Sequence, residues 1–556
     1  MERGKQLSIK LALVLCLTFS AVANAQIQFG WQYAYGSMED DEPWFICKTS
    51  SGYIVGGDKS PDGGFSVDCD DVESHGWILK LDETGRLVDQ LCTDMGPTKM
   101  VKAKGDNPYY YAFGMVGVPP HNYSNACVLK IDEDLNVIWE RALGNPNDDY
   151  WLGLIGDATD DGGCIGTIAV ASAGGDVSQH FGTHTWDAWV FKLDEDSNIQ
   201  WDVTLGSLGS EEPTGIRQLA AGGYMVSIGG STQANGSIGS CHDSPDIIYG
   251  IVVWLDANGN VMDSRCYGGS RRVDLFSTFI TIDDGYVFLG YAMSEDGDLE
   301  GSGYHLGYHQ GNPSLGPSAD VWMMKTDFDG NVIWSRCYGG TEHDFGHMVF
   351  QNEDGGFTIF GNTWSRDGDA QSAAQLYEPI GPNIPVNKPW IIRTDSKGYL
   401  IWERAFGADE ASYQFFSCAT RDSETEYTLV CRDPCYPSPI GDINCPNVVN
   451  DSWDNYWVFH ITDVFDYDEV VENQTEGHGL VYPNPANETV TIEGVEACDI
   501  EIYNALGQLV KTMQGTNEIS VAGLPEGVYV LRITDEKGNA FTERVSVGRG
   551  MVRGER

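Results

Sequence analysis

Short apolar runs, each bounded by a polar turn rich in Asp, Gly and Asn, recur along the first 463 residues. The clearest reads Val321-Trp322-Met323-Met324-Lys325-Thr326, then a turn Asp327-Phe328-Asp329-Gly330-Asn331, then Val332-Ile333-Trp334. Runs this short, rich in β-branched and aromatic residues on both sides of a Gly-containing turn, predict a β-hairpin. Equivalent turns read Asp82-Glu83-Thr84-Gly85, Asp256-Ala257-Asn258-Gly259 and Asp395-Ser396-Lys397-Gly398. In each, the Asp can cap the turn and the Gly can take positive φ. Two copies lack the Gly: Asp132-Glu133-Asp134-Leu135-Asn136 and Asp194-Glu195-Asp196-Ser197-Asn198. Asn tolerates the left-handed region and is expected to rescue those turns.

Two further signals accompany the hairpin. One is an aromatic strand ending in glycine and followed by acid, as in Trp334 to Gly340 and then Asp344. The other is a turn feeding a strand that is apolar on both faces, as in Asp284-Gly285 before Tyr286-Val287-Phe288-Leu289. Strands without alternation belong to sheets covered on both sides. The turn Asp residues, 82, 132, 194, 256, 327, 395 and 463, mark seven units. A period of about 60 residues built from strands and turns predicts a closed ring of sheets. Phe29 to Tyr35 reads as the second half of a hairpin, and Tyr456 to Asp463 as a first half. Pairing them would close the ring and remove both sheet edges. The expected fold is all-β: a seven-bladed β-propeller over residues 26–463, with six or eight blades as the alternatives, followed by a small Ig-like β-sandwich.

Composition fits that picture. The 67 Gly, 26 Tyr, 21 Phe and 16 Trp suit tight turns between aromatic strands. The 82 Asp plus Glu outweigh 33 Lys plus Arg, a net charge of −49. A field of that sign repels phosphate backbones, so nucleic acid is not an expected partner. Arg3, Lys5 and Lys10, the apolar stretch Leu11 to Val22 and Ala23-Asn24-Ala25 predict a signal peptide over residues 1–25. No later segment has the roughly 20 apolar residues that span a bilayer. Cys431, Cys435 and Cys445 cluster in one loop, where a local disulfide is expected. Cys92, Cys266 and Cys337 fall at one repeat position and read as small buried hydrophobes. No C-x-x-C pair occurs.

Residues 464–479 are acidic and short of large apolar groups, as a linker is. A different pattern follows over 480–548: Tyr482-Pro483-Asn484-Pro485, strands around the turn Asn504-Ala505-Leu506-Gly507, and Leu524 to Ile533 containing Gly527-Val528-Tyr529. Residues 549–556 are a basic tail. The 480–548 segment resembles the C-terminal sorting domain of type IX secretion cargo proteins of the Bacteroidota. The resemblance implies Sec export, recognition by the type IX machinery through these motif residues, and an outer-membrane-surface or extracellular destination. The repeat region also resembles propellers found upstream of that domain, and its Asp-x-x-Gly-x-x-x-Trp hairpin is similar to that of quinoprotein-type propellers.

Candidate chemistry is sparse. The loops Ser294-Glu295-Asp296-Gly297-Asp298 and Ser365-Arg366-Asp367-Gly368-Asp369 recur in adjacent units. Asp296, Asp298, Asp367 and Asp369 could wrap a calcium ion, which takes oxygen ligands; capped surface turns account for the same residues. Asp148, Asp274 and Asp344, with Glu211 and Glu410, sit where strands would begin at one rim, and converging there they would make a cation or polar-substrate site. His305 and His309, like His180 and His184, lie in Gly-rich insertions that disfavour a helical metal pair. No nucleophile elbow, P-loop, dinucleotide fingerprint or H-E-x-x-H occurs.

These features predict a monomeric adhesin-like binding protein that takes a glycan or protein through its insertions at 294–319 and 365–388, where Tyr304, Tyr308 and Tyr377 could stack on sugars. The alternative is a propeller hydrolase acting on polysaccharide or glycopeptide, marked by two carboxyls about 5–9 Å apart in a cleft. A quinone-dependent dehydrogenase would need a planar, calcium-holding pocket that no motif supplies.

Overall fold

The computed structural model describes residues 27–36, 41–59, 76–118, 123–145, 154–182, 185–230, 236–238, 241, 248–280, 285–307, 316–375, 387–407, 414–433, 442, 455–463, 480–482, 489–493, 498–503, 509–524, 527–535 and 540–547. These fall into two compact units, one within 25–464 and one within 465–556. Among the described residues the only helical pieces are short 3-10 turns, including Gly297–Leu299 and Gln371–Gln375. No helix there is long and apolar enough to cross a membrane.

The larger unit begins with β1 (Ile27–Tyr35). Sheet one holds β2 (Glu42–Lys48), β3 (Gly52–Asp58), β4 (Gly76–Asp82) and β5 (Leu87–Thr93). Sheet two holds β6 (Met95–Lys102), β7 (Tyr109–Val118), β8 (Tyr123–Asp132) and β9 (Val137–Leu143). Sheet three holds β10 (Ile155–Ala158), β11 (Cys164–Val170), β12 (Asp187–Leu193) and β13 (Ile199–Leu205). Sheet four holds β14 (Glu211–Gln218), β15 (Tyr224–Gly230), β16 (Tyr249–Leu255) and β17 (Val261–Tyr267). Sheet five holds β18 (Val273–Ile280), β19 (Gly285–Ala292), β20 (Asp320–Asp327) and β21 (Val332–Tyr338). Sheet six holds β22 (Asp344–Gln351), β23 (Phe357–Thr363), β24 (Lys388–Thr394) and β25 (Leu400–Ala405). Sheet seven takes β26 (Phe415–Arg421), β27 (Glu426–Asp433) and β28 (Asn455–Asp463) from the end of the unit and β1 from its start.

β1 pairs antiparallel with β28, Ala34 opposite Trp457 and Tyr35 opposite Tyr456. The two hairpin halves left over in the sequence therefore meet. First strands touch in a closed circuit: β2 on β6, then β10, β14, β18, β22, β26 and back to β2. The second strands β11, β15, β19 and β23 are buried along their whole length, as the unbroken apolar runs predict. Neighbouring sheets share their cores; Phe113 and Val128 of sheet two cluster with Ile168 and Trp189 of sheet three. Full burial of such a side chain stabilises by about 1.5–3 kcal/mol.

Two repeated devices explain the aromatic content. In the third strand a buried Trp donates Nε1–H to the fourth strand: Trp77 to Gln90 at 3.0 Å, Trp189 to Asp202 at 3.0 Å, Trp322 to Ser335 at 2.8 Å and Trp390 to Glu403 at 2.7 Å. Trp457 finds its acceptor, Gln32, on β1 at 3.1 Å. The second device joins sheets. A Trp on the fourth strand lies against the hairpin-turn Gly of the next sheet, Trp201 on Gly259 and Trp334 on Gly398, and Trp31 of β1 lies on Gly85 of sheet one. A Tyr hydroxyl from the same strand seals the turn, Tyr267 donating to the Gly330 carbonyl at 2.7 Å and Tyr338 to Gly398 at 2.6 Å.

The turn Asp residues cap as expected: Asp256 Oδ1 accepts from the amides of Asn258 (2.8 Å) and Asn260 (2.9 Å), and Asp395 from Lys397 and Tyr399, both at 2.8 Å. The two copies without Gly depart from expectation. Leu135 (φ 62°) and Ser197 (φ 70°), not the Asn residues, occupy the left-handed position. Asn136 and Asn198 lie one residue later and donate Nδ2–H to Asp132 and Asp194. The turn length, set by the Asp cap and the strand register, decides which residue bears the positive φ.

The reading of three equivalent cysteines as plain hydrophobes is corrected in two places. Cys337 is a buried thiol, but Cys266 is joined to Cys241 and Cys92 is also disulfide-bonded. The bond ties Cys241 to the outer strand of sheet four. Cys435 and Cys445 lie outside the described residues, as do residues 1–25, 464–479 and 549–556.

The smaller unit has two sheets. One comprises β29 (Leu480–Tyr482), β30 (Thr489–Glu493) and β33 (Glu518–Ser520). The other comprises β31 (Cys498–Tyr503), β32 (Leu509–Thr516), β34 (Gly527–Asp535) and β35 (Ala540–Val547), ordered β32-β31-β34-β35. Val490, Ile492 and Ile519 of the first pack with Ile500, Ile502, Leu531 and Ile533 of the second in one core.

Candidate functional site

Six of the seven first strands slip register at the same place, after their second or third residue. The extra residue of such a bulge is unpaired and its side chain is re-aimed. These residues are Trp44, Thr98, Thr214, Phe276, His347 and Ser417. Because the first strands form the innermost circuit, the bulges set a ring of side chains around its centre.

On sheets five and six the bulged Phe276 and His347 join unbulged aromatics of the first strands in a row that reaches sheet seven. Phe276 stacks on His347 (centroids 6.1 Å, planes 8° apart), and His347 meets Phe415 edge-on at 5.2 Å. Tyr291 bridges Phe276 (5.2 Å) to Phe345 (5.4 Å). Phe276, Phe345, His347 and Phe415 are all half-buried. Burial pushes His347 down to about 4, so the ring is neutral at pH 7, accepting a hydrogen bond from Asn362 Nδ2 at 2.9 Å. On sheet one, Trp44 is 38% exposed and donates to Asp58 at 3.0 Å.

Charge lies beside the row. Arg272 holds Asp274 at 2.9 Å, and Tyr291 donates its hydroxyl to the same carboxylate. Burial, reinforced by Asp274, raises the half-buried Glu212 above the usual carboxylate range. Two adjacent first strands thus offer one carboxyl biased towards protonation and one paired with an arginine. Bulge positions carry no sequence mark short of the pairing register, which is why this site was not legible in the sequence.

The loop carboxylates singled out by sequence take up backbone. Asp296 accepts from the Ser270 amide (2.7 Å) and the Ser294 hydroxyl (2.6 Å), and Asp298 from the Gly268 amide (2.9 Å). Asp367 accepts from the Thr341 amide (2.8 Å) and Asp369 from the Gly339 amide (3.3 Å). Each pair clamps the Gly-Gly segment that precedes the next first strand. Among the described residues no group of three or more His, Cys, Asp or Glu is placed to hold a metal ion.

Glu211 and Asp344 begin first strands and Asp274 is the second residue of one, while Asp148 and Glu410 fall outside the described residues. Glu211 and Asp344 are sealed, each beside a second buried carboxyl that the sequence reading missed, Asp187 and Asp320. An oxygen of Asp344 and one of Asp320 lie 2.6 and 2.8 Å from where a Gly339 Cβ would stand. Burial raises Asp344 to about 8, Glu211 to about 7, and Asp320 and Asp187 to about 6. A histidine serves each pair, His305 on Asp320 at 3.1 Å and His180 on Asp187 at 3.6 Å. The repeated signal was an Asp two residues before the third-strand tryptophan, in Asp187-Ala188-Trp189 and Asp320-Val321-Trp322. His184, His309, Tyr308 and Tyr377 are outside the described residues; Tyr304 spends its hydroxyl on the Ser318 carbonyl at 2.7 Å.

Of the sorting residues, Tyr482 pairs with Thr491, Gly527 with Val547 and Val528 with Ser546. Tyr529 is buried in the core of the smaller unit. Pro483, Asn484, Pro485 and Gly507 lie outside the described residues.

Residues 480–547 match the family model described as a secretion system C-terminal sorting domain. No curated protein matches the chain. Among solved structures it is similar to an acylaminoacyl peptidase of Pyrococcus horikoshii (10% identity, 84% of this chain and 59% of that one, TM-score 0.35). It is also similar to an exo-β-1,3-galactanase of Phanerochaete chrysosporium (9%, 93% and 94%, TM-score 0.28) and a GH32 β-fructofuranosidase of Bombyx mori (9%, 73% and 88%, TM-score 0.26).

Proposed function

With its sorting domain making the chain a type IX secretion cargo, we propose that it delivers a seven-bladed β-propeller to the cell surface or medium, where the propeller binds a glycan or protein at the mouth of its axis. In this reading residues 1–25 are a signal peptide, 464–479 a linker and 480–548 an Ig-like sandwich read by the secretion machinery. The closed circuit of first strands and the β1–β28 pairing support the propeller.

The observation that carries the binding role is the row Phe276, His347 and Phe415 with exposed Trp44 on the same circuit. Aromatic faces beside polar groups suit sugar rings and apolar side chains alike. The buried pairs Asp187/Glu211 and Asp320/Asp344 have no accessible surface and touch no substrate. Hydrolysis is the second reading, favoured by Glu212, whose burial biases it towards the protonated form that a general acid needs, beside Asp274 paired with Arg272.

A glycan and surface-protein screen of the full chain, run beside an assay for released reducing ends, tests both. Binding that weakens at least tenfold in Phe276→Ala, without turnover, supports the adhesin reading. Turnover abolished by Glu212→Gln moves the assignment to the hydrolase. Ligand capture indifferent to Phe276→Ala and Trp44→Ala sinks the site.

A further inference from the structure

Asn362 of β23 is fully buried, and both ends of its amide are engaged. Its Oδ1 accepts from the backbone N–H of Phe416 in β26 at 2.9 Å, and its Nδ2 lies 2.9 Å from Nε2 of the bulged His347 in β22. A backbone N–H can only donate, so the Phe416 amide fixes the carboxamide with its oxygen towards β26 and its NH2 towards the histidine. The NH2 group also can only donate, so Nε2 of His347 is a bare acceptor. The imidazole is then neutral, and its single proton sits on Nδ1.

That proton is unspent. Among the described residues no group accepts from Nδ1, and the half-buried ring leaves this atom open to solvent. One edge of the imidazole is locked by the protein, and the other offers a directed N–H. Phe276 stacks on the same ring at 6.1 Å and Phe415 meets it edge-on at 5.2 Å.

This pairing of an apolar row with a donor discriminates between occupants. An apolar side chain laid across the row would strip water from the N–H and return no acceptor. A peptide carbonyl would satisfy the N–H but brings no apolar face. A sugar ring carries both on one rigid body, with C–H groups across a face and hydroxyl or acetamido oxygens at the rim. Charge narrows the class further. Arg272, the cation beside the row, already holds Asp274 at 2.9 Å, and the chain carries a net charge of −49. Uronic acids and sulfated sugars are repelled by that field, and neutral sugars are not.

We propose that the mouth takes an uncharged sugar residue, stacked on the row of Phe276, His347 and Phe415 and held by a hydrogen bond from His347 Nδ1–H. Asn362 is the positioning residue that keeps the proton on that nitrogen. The inference rests on the binding reading above and decides it in favour of a glycan over a protein.

A panel of neutral hexose and N-acetylhexosamine oligosaccharides, their uronic-acid counterparts and an uncharged apolar peptide, titrated against the full chain beside 15N NMR of the imidazole, tests this. The wild-type ring should carry its proton on Nδ1 alone. At least one neutral oligosaccharide should bind saturably, at least tenfold tighter than its acidic counterpart. His347→Phe, which keeps an aromatic ring but removes the donor, should weaken that binding at least tenfold. Asn362→Ala should give a mixture of both tautomers and weaker binding with His347 still present; a pure Nδ1–H ring in that variant would overturn the positioning role. A wild-type ring protonated on Nε2, or unchanged affinity in a His347→Phe variant that melts normally, overturns the proposal. Phe276-dependent capture of the peptide without any sugar also overturns it but leaves the mouth intact, whereas binding that ignores Phe276 removes the mouth as well.

Discussion

At the scale of single residues, two strained turns give a comparison decided by magnitude. Leu135 and Ser197 hold the same left-handed backbone, which costs a non-glycine residue about 1 kcal/mol. Ser197→Gly should therefore stabilise by about 0.5–1 kcal/mol. Leu135→Gly relieves the same strain but empties a buried position in the core shared by sheets one and two, forfeiting about 1.5–3 kcal/mol, so it should destabilise. Chemical denaturation of both variants checks the opposite signs. Asp344 makes a pH-dependent case. Its folded-state value, about 8, lies above that of an unfolded Asp. Its contribution is then fully present below about pH 4 and is lost as pH rises towards 8. Asp344→Asn should raise the melting temperature by a few degrees at pH 8 and leave it nearly unchanged at pH 4; equal shifts at both would contradict this. One pKa unit corresponds to about 1.4 kcal/mol.

Among elements, legibility tracked locality. Hairpins such as Val321 to Trp334 declared themselves because strand, capping Asp and turn Gly are contiguous. The leftover halves at Phe29 and Trp457 were matched because each visibly lacked its partner. What stayed hidden depends on contacts between elements. Nothing in the string around Phe276 and His347 shows that both are bulged. The Asp-x-x-Gly-x-x-x-Trp motif is instructive. Its Gly and Trp look like one local unit, but Gly398 receives Trp334 from the preceding sheet, so the motif encodes a contact between successive repeats. The cysteines misled for a similar reason: Cys266 occupies a repeat position, but its partner Cys241 sits in an insertion outside the repeat.

For the whole molecule the seam is the decisive contact. Removing residues 27–35 would leave β28 with an open edge, Trp457 without Gln32 and Gly85 without Trp31. An unpaired strand edge invites intermolecular pairing, and a buried indole N–H without an acceptor costs about 1–3 kcal/mol. The truncated chain should lose its single cooperative melt and elute as soluble aggregate in size-exclusion chromatography; a monomer melting within a few degrees of the intact protein would show that the seam is dispensable.

The same seam imposes an order of events on biosynthesis. Gln32 emerges early in synthesis, yet Trp457, which it must meet, lies 425 positions downstream. Until almost the entire passenger has been made, its leading strand has nowhere to dock and the toroid is a horseshoe. Completion arrives only about when the sorting module itself is being synthesised, so a nascent chain cut short before that point can neither seal its circle nor carry the address that exports it.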